Sequence, residues 1–378
     1  MPRYDLPHPS LEIAGALEIE DDALGGVRPR RLPRAVCERT SDPALELMAL
    51  MTSGVRLRFA TTSTSFTLRV HTLRLEVQSD LPAWPAPQVS VLVDGDRVQD
   101  APVTDSDVLV VDAESNLMDL RGGQDEDLVV AGLPSGHKEV EVWLPPSTTC
   151  VLRSLAVDDL TAPAADPRST WWHYGSSISH GFEATTALGT WPVVAAADAG
   201  LRLTNLAVAG QAMLDPGVAQ AFAESGADRV SLCLGINIHN GASMTLRTFE
   251  PSLHQFLDII RDARPDVPIH VISPIPFPSG EDVPGPSVIR GSSVVATGDP
   301  ETVRSGALTV AIIRDAIERI VLARAARDPH LVYVDGRDLL HPDETDHLAD
   351  GIHPDAAGLE LIGHRFGVLL SGIEADAR

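Results

Sequence analysis

Lysine is almost missing from this chain of 378 residues: Lys138 is the only one, and arginine carries the remaining basic charge. Together with the abundance of alanine, glycine, valine and proline, that scarcity points to genomic base composition and to no function of its own. Basic charge is scarce altogether, 29 basic against 53 acidic residues, for a net charge of −24. So negative a molecule repels phosphate backbones and anionic headgroups, so neither nucleic acid nor a membrane surface is an expected partner; neutral or cationic small molecules remain. Cysteine is limited to Cys37, Cys150 and Cys233, an odd set without paired spacing, which speaks against a disulfide framework. Cys233 lies in the apolar run 230–234 and is expected to be a buried free thiol. No apolar run approaches the ~20 residues that span a bilayer. The opening Met-Pro-Arg-Tyr-Asp has no basic-then-apolar leader, so a cytoplasmic location is expected.

What is present divides into two halves, as the length leads one to expect. From about Gly54 to Asp159 apolar residues recur every second position, as in Val55, Leu57 and Phe59 or Val140, Val142 and Leu144. Turn signals such as Asp94-Gly95-Asp96 and Pro134-Ser135-Gly136 separate these runs. Short alternating strands between such turns predict an all-β antiparallel sandwich. After Ser169 the period changes. Near-continuous apolar runs at 171–174, 203–208, 229–234, 269–272 and 331–334 alternate with helix-period stretches. That pattern predicts an α/β half with a flavodoxin-like, doubly wound parallel sheet of five strands. The predicted domains are residues 1–163 and 164–378, with the Ala/Pro-rich stretch 159–169 as the linker.

Four short pieces of the second half carry the chemistry. Tyr174-Gly175-Ser176-Ser177 ends the first apolar strand, where a serine on a strand-to-helix turn is held exposed. Asn205-Leu206-Ala207-Val208-Ala209-Gly210, Leu234-Gly235-Ile236-Asn237 and Asp350-Gly351-Ile352-His353-Pro354 follow. Three of the four fall just beyond strand ends, where sheets of this type bind ligands. A serine hydroxyl needs a base, His353 is the available imidazole, and Asp350 three residues earlier can fix its tautomer.

These pieces, from Trp171 to about Leu370, resemble the blocks of the SGNH (GDSL-type) hydrolases, a family of esterases, lipases and carbohydrate deacetylases. The resemblance implies Ser177 as nucleophile, His353 as base and Asp350 as its orienter. It implies an oxyanion hole from the backbone N–H groups of Ser177 and Gly210 and the side-chain amide of Asn237; no metal or cofactor is expected. It also implies a jelly-roll-like form for the first half, as in carbohydrate-active relatives. Two positions depart from the pattern: Ser176 stands where the family usually has Asp, and no Asp follows Asn237, where Ile238 lies.

Plainer readings exist for each residue. Ser177 fits a helix N-cap, Gly210 a turn, Asn237 an Asx turn and Asp350 the cap of the last helix. Convergence of all five outweighs them. His341, Asp343, Asp346, His347, Asp350 and His353 fit no common zinc spacing, and a solvated acidic loop is expected. His180 and His239 flank the blocks without an assignable role, and Trp171 and Trp172 are expected in the core. The Pro/Gly-rich stretch 274–300 is expected to be an irregular wall or lid. The expected function is a serine esterase acting on small acyl esters, acetyl groups on carbohydrate being favoured. The alternatives are an acyltransferase or longer-chain lipase on the same residues, and a non-catalytic carbohydrate-binding protein with a degenerate hydrolase half.

Overall fold

The computed structural model describes residues 1–112 and 117–376. The chain forms two compact units: residues 1–78, 84–167 and 184–189 make up the first, and 79–83, 168–183 and 190–378 the second.

In the first unit the two-residue period becomes two sheets. Strands Glu12–Ala14, Arg56–Thr61, Lys138–Trp143, Gln88–Val93 and Asp96–Pro102 form a five-stranded sheet in that spatial order. The other sheet has eight strands centred on the long strand Ser65–Gln78, which pairs antiparallel with Thr148–Val157 and Glu126–Ala131. The inward residues of both, among them Leu57, Phe59, Leu68, Val91, Val142 and Leu152, share one buried core. The Asp94-Gly95 signal is a tight hairpin turn, with both residues at positive φ (52° and 91°), the geometry that matches strand twist. One feature departs from pure antiparallel pairing: Ser65–Gln78 runs parallel to Asp107–Asp112. The lone lysine is here too, and it is buried at 2% exposure. Lys138 Nζ donates to the carbonyls of Thr61, Ser63 and Gly136.

The second unit is a parallel five-stranded sheet with helices. Its strands are β1 (Thr170–Tyr174), β2 (Arg202–Asn205), β3 (Arg229–Cys233), β4 (Ile269–Ile272) and β5 (Leu331–Val334). They lie in the order β2-β1-β3-β4-β5, all parallel. This is the flavodoxin-like doubly wound order, whose reversal between β1 and β3 opens a crevice at the strands' carboxyl ends. The helices are α1 (Ser177–His180), α2 (Trp191–Asp198), α3 (Pro216–Ala223), α4 (Ile236–Asn240), α5 (Leu246–Ala263), α6 (Val310–Ala325), α7 (Gly336–Leu339) and α8 (Ala356–Asp376). Helix α5 shows why they form. Thr245 and Thr248 make a capping box, and Phe249, Leu253, Phe256, Leu257 and Ile260 bury one face at helical spacing. Trp171 is fully buried and packs against Trp191 and Phe366, so it belongs to the core.

The stretch after β4 is more regular than its composition suggests. It contains a hairpin of Ser287–Arg290 against Ser293–Ala296, and Val294 N–H donates to the Asp350 carbonyl at 2.8 Å. The prolines and glycines around these two short strands hide the pairing from a sequence reading. Among the described residues, no helix is long and apolar enough to cross a membrane. All three cysteines are free; Cys233 is only partly buried, and desolvation raises its thiol pKa to about 12.

Candidate active site

The turn after β1 is built by sterics. A Cβ on Gly175 would fall 2.3 Å from Ser179 Oγ and 2.8 Å from Ser179 Cβ, so only glycine fits there. Ser176 is fully buried in an extended conformation and caps α1, its hydroxyl accepting the Ile178 N–H at 3.4 Å. The position that resembles a family aspartate is therefore occupied by a smaller cap of the same kind. Gly181, left-handed at φ +85°, ends the helix after one turn. Ser177 is thus held at the first position of a short helix, at the carboxyl end of β1.

The fourth piece meets it. Ser177 Oγ lies 2.9 Å from His353 Nε2, and His353 Nδ1 lies 2.7 Å from Asp350 Oδ2. A carboxylate only accepts, so Nδ1 carries the proton toward Asp350, and in the neutral ring Nε2 is free to accept from the serine hydroxyl. Asp350 also accepts the backbone N–H groups of Ile352 (3.0 Å) and His353 (2.7 Å) through Oδ1. Burial raises the Asp350 pKa, but these bonds and the imidazole outweigh it and hold the carboxyl below the usual range.

The environment separates this imidazole from its neighbours. His173 and His270 are buried inside the sheet, and desolvation pushes them down to about 3 and about 4, so both are neutral. Burial acts on His353 in the same sense, yet the carboxylates of Glu183 and Asp350 override it and raise the ring to about 9. Glu183, which the sequence reading did not single out, has Oε1 3.9 Å from His353 Nδ1 and a side chain 14% exposed.

The two remaining pieces sit on the neighbouring strand ends. Gly210 follows β2 at φ +71°, and a Cβ there would meet nothing within 4 Å. The left-handed backbone favours glycine at this position. Neither the Ser177 nor the Gly210 backbone N–H has a hydrogen-bond acceptor among the described residues. Asn237, after β3, is 4% exposed, and its Oδ1 accepts the Ala212 N–H at 3.0 Å. That bond fixes which end of the amide is the carbonyl and leaves Nδ2 as the donor. Ile238 is fully buried, so its apolar side chain is a packing residue where a carboxylate would be costly.

Two supports were not legible beforehand. Asn205 Nδ2 donates to the Ser179 carbonyl at 3.0 Å, joining the β2 end to the serine turn. His180 is fully buried, with Nδ1 accepting the Ala209 N–H at 3.3 Å, next to Gly210. His239 is buried as well, its Nε2 3.0 Å from the Val283 carbonyl, bracing the stretch after β4. In the acidic loop His347 pairs with Asp355 at 3.2 Å. Among the described residues, no three His, Cys, Asp or Glu side chains are placed to share a metal ion.

Two cavities adjoin these segments. A small one of about 10 Å³ is lined wholly by apolar residues and cysteine, among them Ile178, Ile236 and Ile352, each next in sequence to one of the residues above. A larger one of about 300 Å³ lies between Met213, Leu214, Asp215, Met244 and Phe256. A hydroxyl bonded to a carboxylate-backed imidazole, beside unpaired N–H groups, is an arrangement suited to acyl transfer.

Comparison with known proteins agrees with that chemistry. The sequence model of the GDSL-like Lipase/Acylhydrolase family matches residues 173–361. Among solved structures, the salicylyl-acyltransferase SsfX3 from a tetracycline biosynthetic pathway has a TM-score of 0.81 and 25% identity, over 99% of this chain and 97% of that one. A Bacteroides ovatus protein described as a GDSL-like lipase has a TM-score of 0.71 and 19% identity, over 99% and 98% of the two chains. A family two carbohydrate esterase from Cellvibrio japonicus has a TM-score of 0.59 and 10% identity, over 100% and 99%. The last two share the fold. No curated protein sequence matches the chain significantly.

Proposed function

Because this chain belongs to the GDSL-like lipase/acylhydrolase family, we propose that it is a serine esterase cleaving small acyl esters through a Ser177-His353-Asp350 triad. The observation that carries the reading is the unbroken chain of contacts, 2.9 Å from Ser177 Oγ to His353 Nε2 and 2.7 Å from His353 Nδ1 to Asp350 Oδ2.

The steps follow from the groups present. His353 Nε2 takes the hydroxyl proton as Ser177 Oγ attacks the ester carbonyl, and Asp350 stabilises the imidazolium. The negative charge on the former carbonyl oxygen is met by the N–H groups of Ser177 and Gly210 and by Asn237 Nδ2. Collapse of this intermediate expels the alcohol, which takes the proton from Nε2, and leaves an acyl ester on Ser177. Water, deprotonated by the same imidazole, then releases the acid.

Acetyl on a carbohydrate hydroxyl is the favoured substrate, by analogy with enzymes that carry a β-sandwich domain ahead of the hydrolase. Acyl transfer to a hydroxyl acceptor is the second reading, favoured by the likeness to an acyltransferase over 99% of the chain. Initial rates on p-nitrophenyl acetate, butyrate and octanoate and on acetylated xylose, with product analysis in the presence of a hydroxyl acceptor, test both. Release of acetate, fastest for acetyl esters, supports the esterase; an acylated acceptor as main product replaces it with a transferase. Absence of turnover on every ester contradicts both.

A further inference from the structure

The base of the proposed triad faces two carboxylates, not one. Asp350 reaches His353 Nδ1 from the same turn, at 2.7 Å. Glu183 comes from a different segment, the stretch leaving α1, and its Oε1 stands 3.9 Å from that same nitrogen. Gly181 sets the course of that segment: its φ is +85°, and a Cβ there would fall 2.5 Å from Thr190 Cγ2. The Glu183 side chain is 14% exposed and that of Asp350 8%, so water screens neither well. On the opposite edge, Nε2 faces the neutral Ser177 hydroxyl. Among the described residues, the charges that raise the ring are these two carboxylates.

Two poorly hydrated carboxylates near one ring nitrogen both favour the positive form of the ring. Resting on the reading of His353 as the base, we propose that Glu183 is a positioning residue which, with Asp350, stabilises the imidazolium formed during acyl transfer and sets an alkaline threshold for activity. The arrangement has two opposed effects. Charge developing on the ring in the transition state is better stabilised, which raises the rate once the base is free. At neutral pH the same field keeps the ring protonated, which holds the enzyme back.

The test is Glu183→Gln in the full chain, with kcat/KM for p-nitrophenyl acetate measured across pH 6–10. The acid limb should move down by about one unit or more, the usual effect of one nearby opposite charge. The variant should therefore exceed the wild type at pH 7 and fall below it on the alkaline plateau. Glu183→Asp should return the limb toward its wild-type position. A second readout needs no turnover. In the Ser177→Ala background, the His353 imidazole titration followed by NMR should shift down in the same direction when Glu183→Gln is added. An unmoved limb together with an unmoved titration overturns the proposal. Activity surviving Ser177→Ala alone would instead overturn the triad, so the two failures are distinguishable.

Discussion

The pH dependence of turnover follows directly from the geometry around His353. A free imidazole titrates near 6.5, and a base of that kind would be about three-quarters free at pH 7. Burial alone would lower that value, but Glu183 and Asp350 together raise it to about 9. At pH 7 only about 1% of the enzyme then holds the free base, and kcat/KM should climb close to tenfold per unit between pH 6 and 8 before levelling above about 9. Stability runs the other way. A group whose folded-state pKa is raised stabilises the fold fully below its unfolded value and loses that contribution as pH rises. The window here is from about 6.5 through about 9, and the contribution is on the order of 3 kcal/mol. Initial rates on p-nitrophenyl acetate, corrected for spontaneous hydrolysis, together with urea midpoints at the same pH values, measure both trends. A profile already level at pH 7, with its midpoint near 6.5, would refute the account of two carboxylates acting on one ring.

Two further outcomes are expected. Asn237→Ala removes the Nδ2 donor and the acceptor for the Ala212 N–H, and kcat should fall about 10²–10³-fold with a smaller change in KM; a change confined to KM would remove Asn237 from the oxyanion site. Lys138→Met leaves three carbonyls without their ammonium donor and should destabilise the protein by about 2–3 kcal/mol, read as a lower urea midpoint by circular dichroism; an unchanged midpoint would mean that those carbonyls lose nothing.

How far each feature could be read beforehand depends on the range of the interaction that makes it. Strands and helices of the second half were legible because burial on both faces writes continuous apolar runs, and Leu253, Phe256, Leu257 and Ile260 show the helical period plainly. The meeting of Ser177, His353 and Asp350 was legible because the serine falls at a strand end and the other two share one turn. Glu183 was not, since it belongs to no spacing rule; only the course of the chain after Gly181 brings it to the ring. The imidazole's alkaline shift was hidden for the same reason, since an unperturbed imidazole would place the activity threshold near pH 6.5. Lys138 misleads in the opposite direction, because lysine is ordinarily exposed and nothing local marks the three carbonyls that bury it. The parallel pairing of Ser65–Gln78 with Asp107–Asp112 joins residues distant in the chain, and alternation alone carries no direction.

The most direct test of the central claim is covalent capture of the nucleophile. A fluorophosphonate added at pH 9 should modify the protein once, with peptide mass mapping placing the adduct on Ser177 and with no adduct in Ser177→Ala. His353→Ala should slow labelling by orders of magnitude. Modification of another residue, or labelling that persists without Ser177, would contradict it.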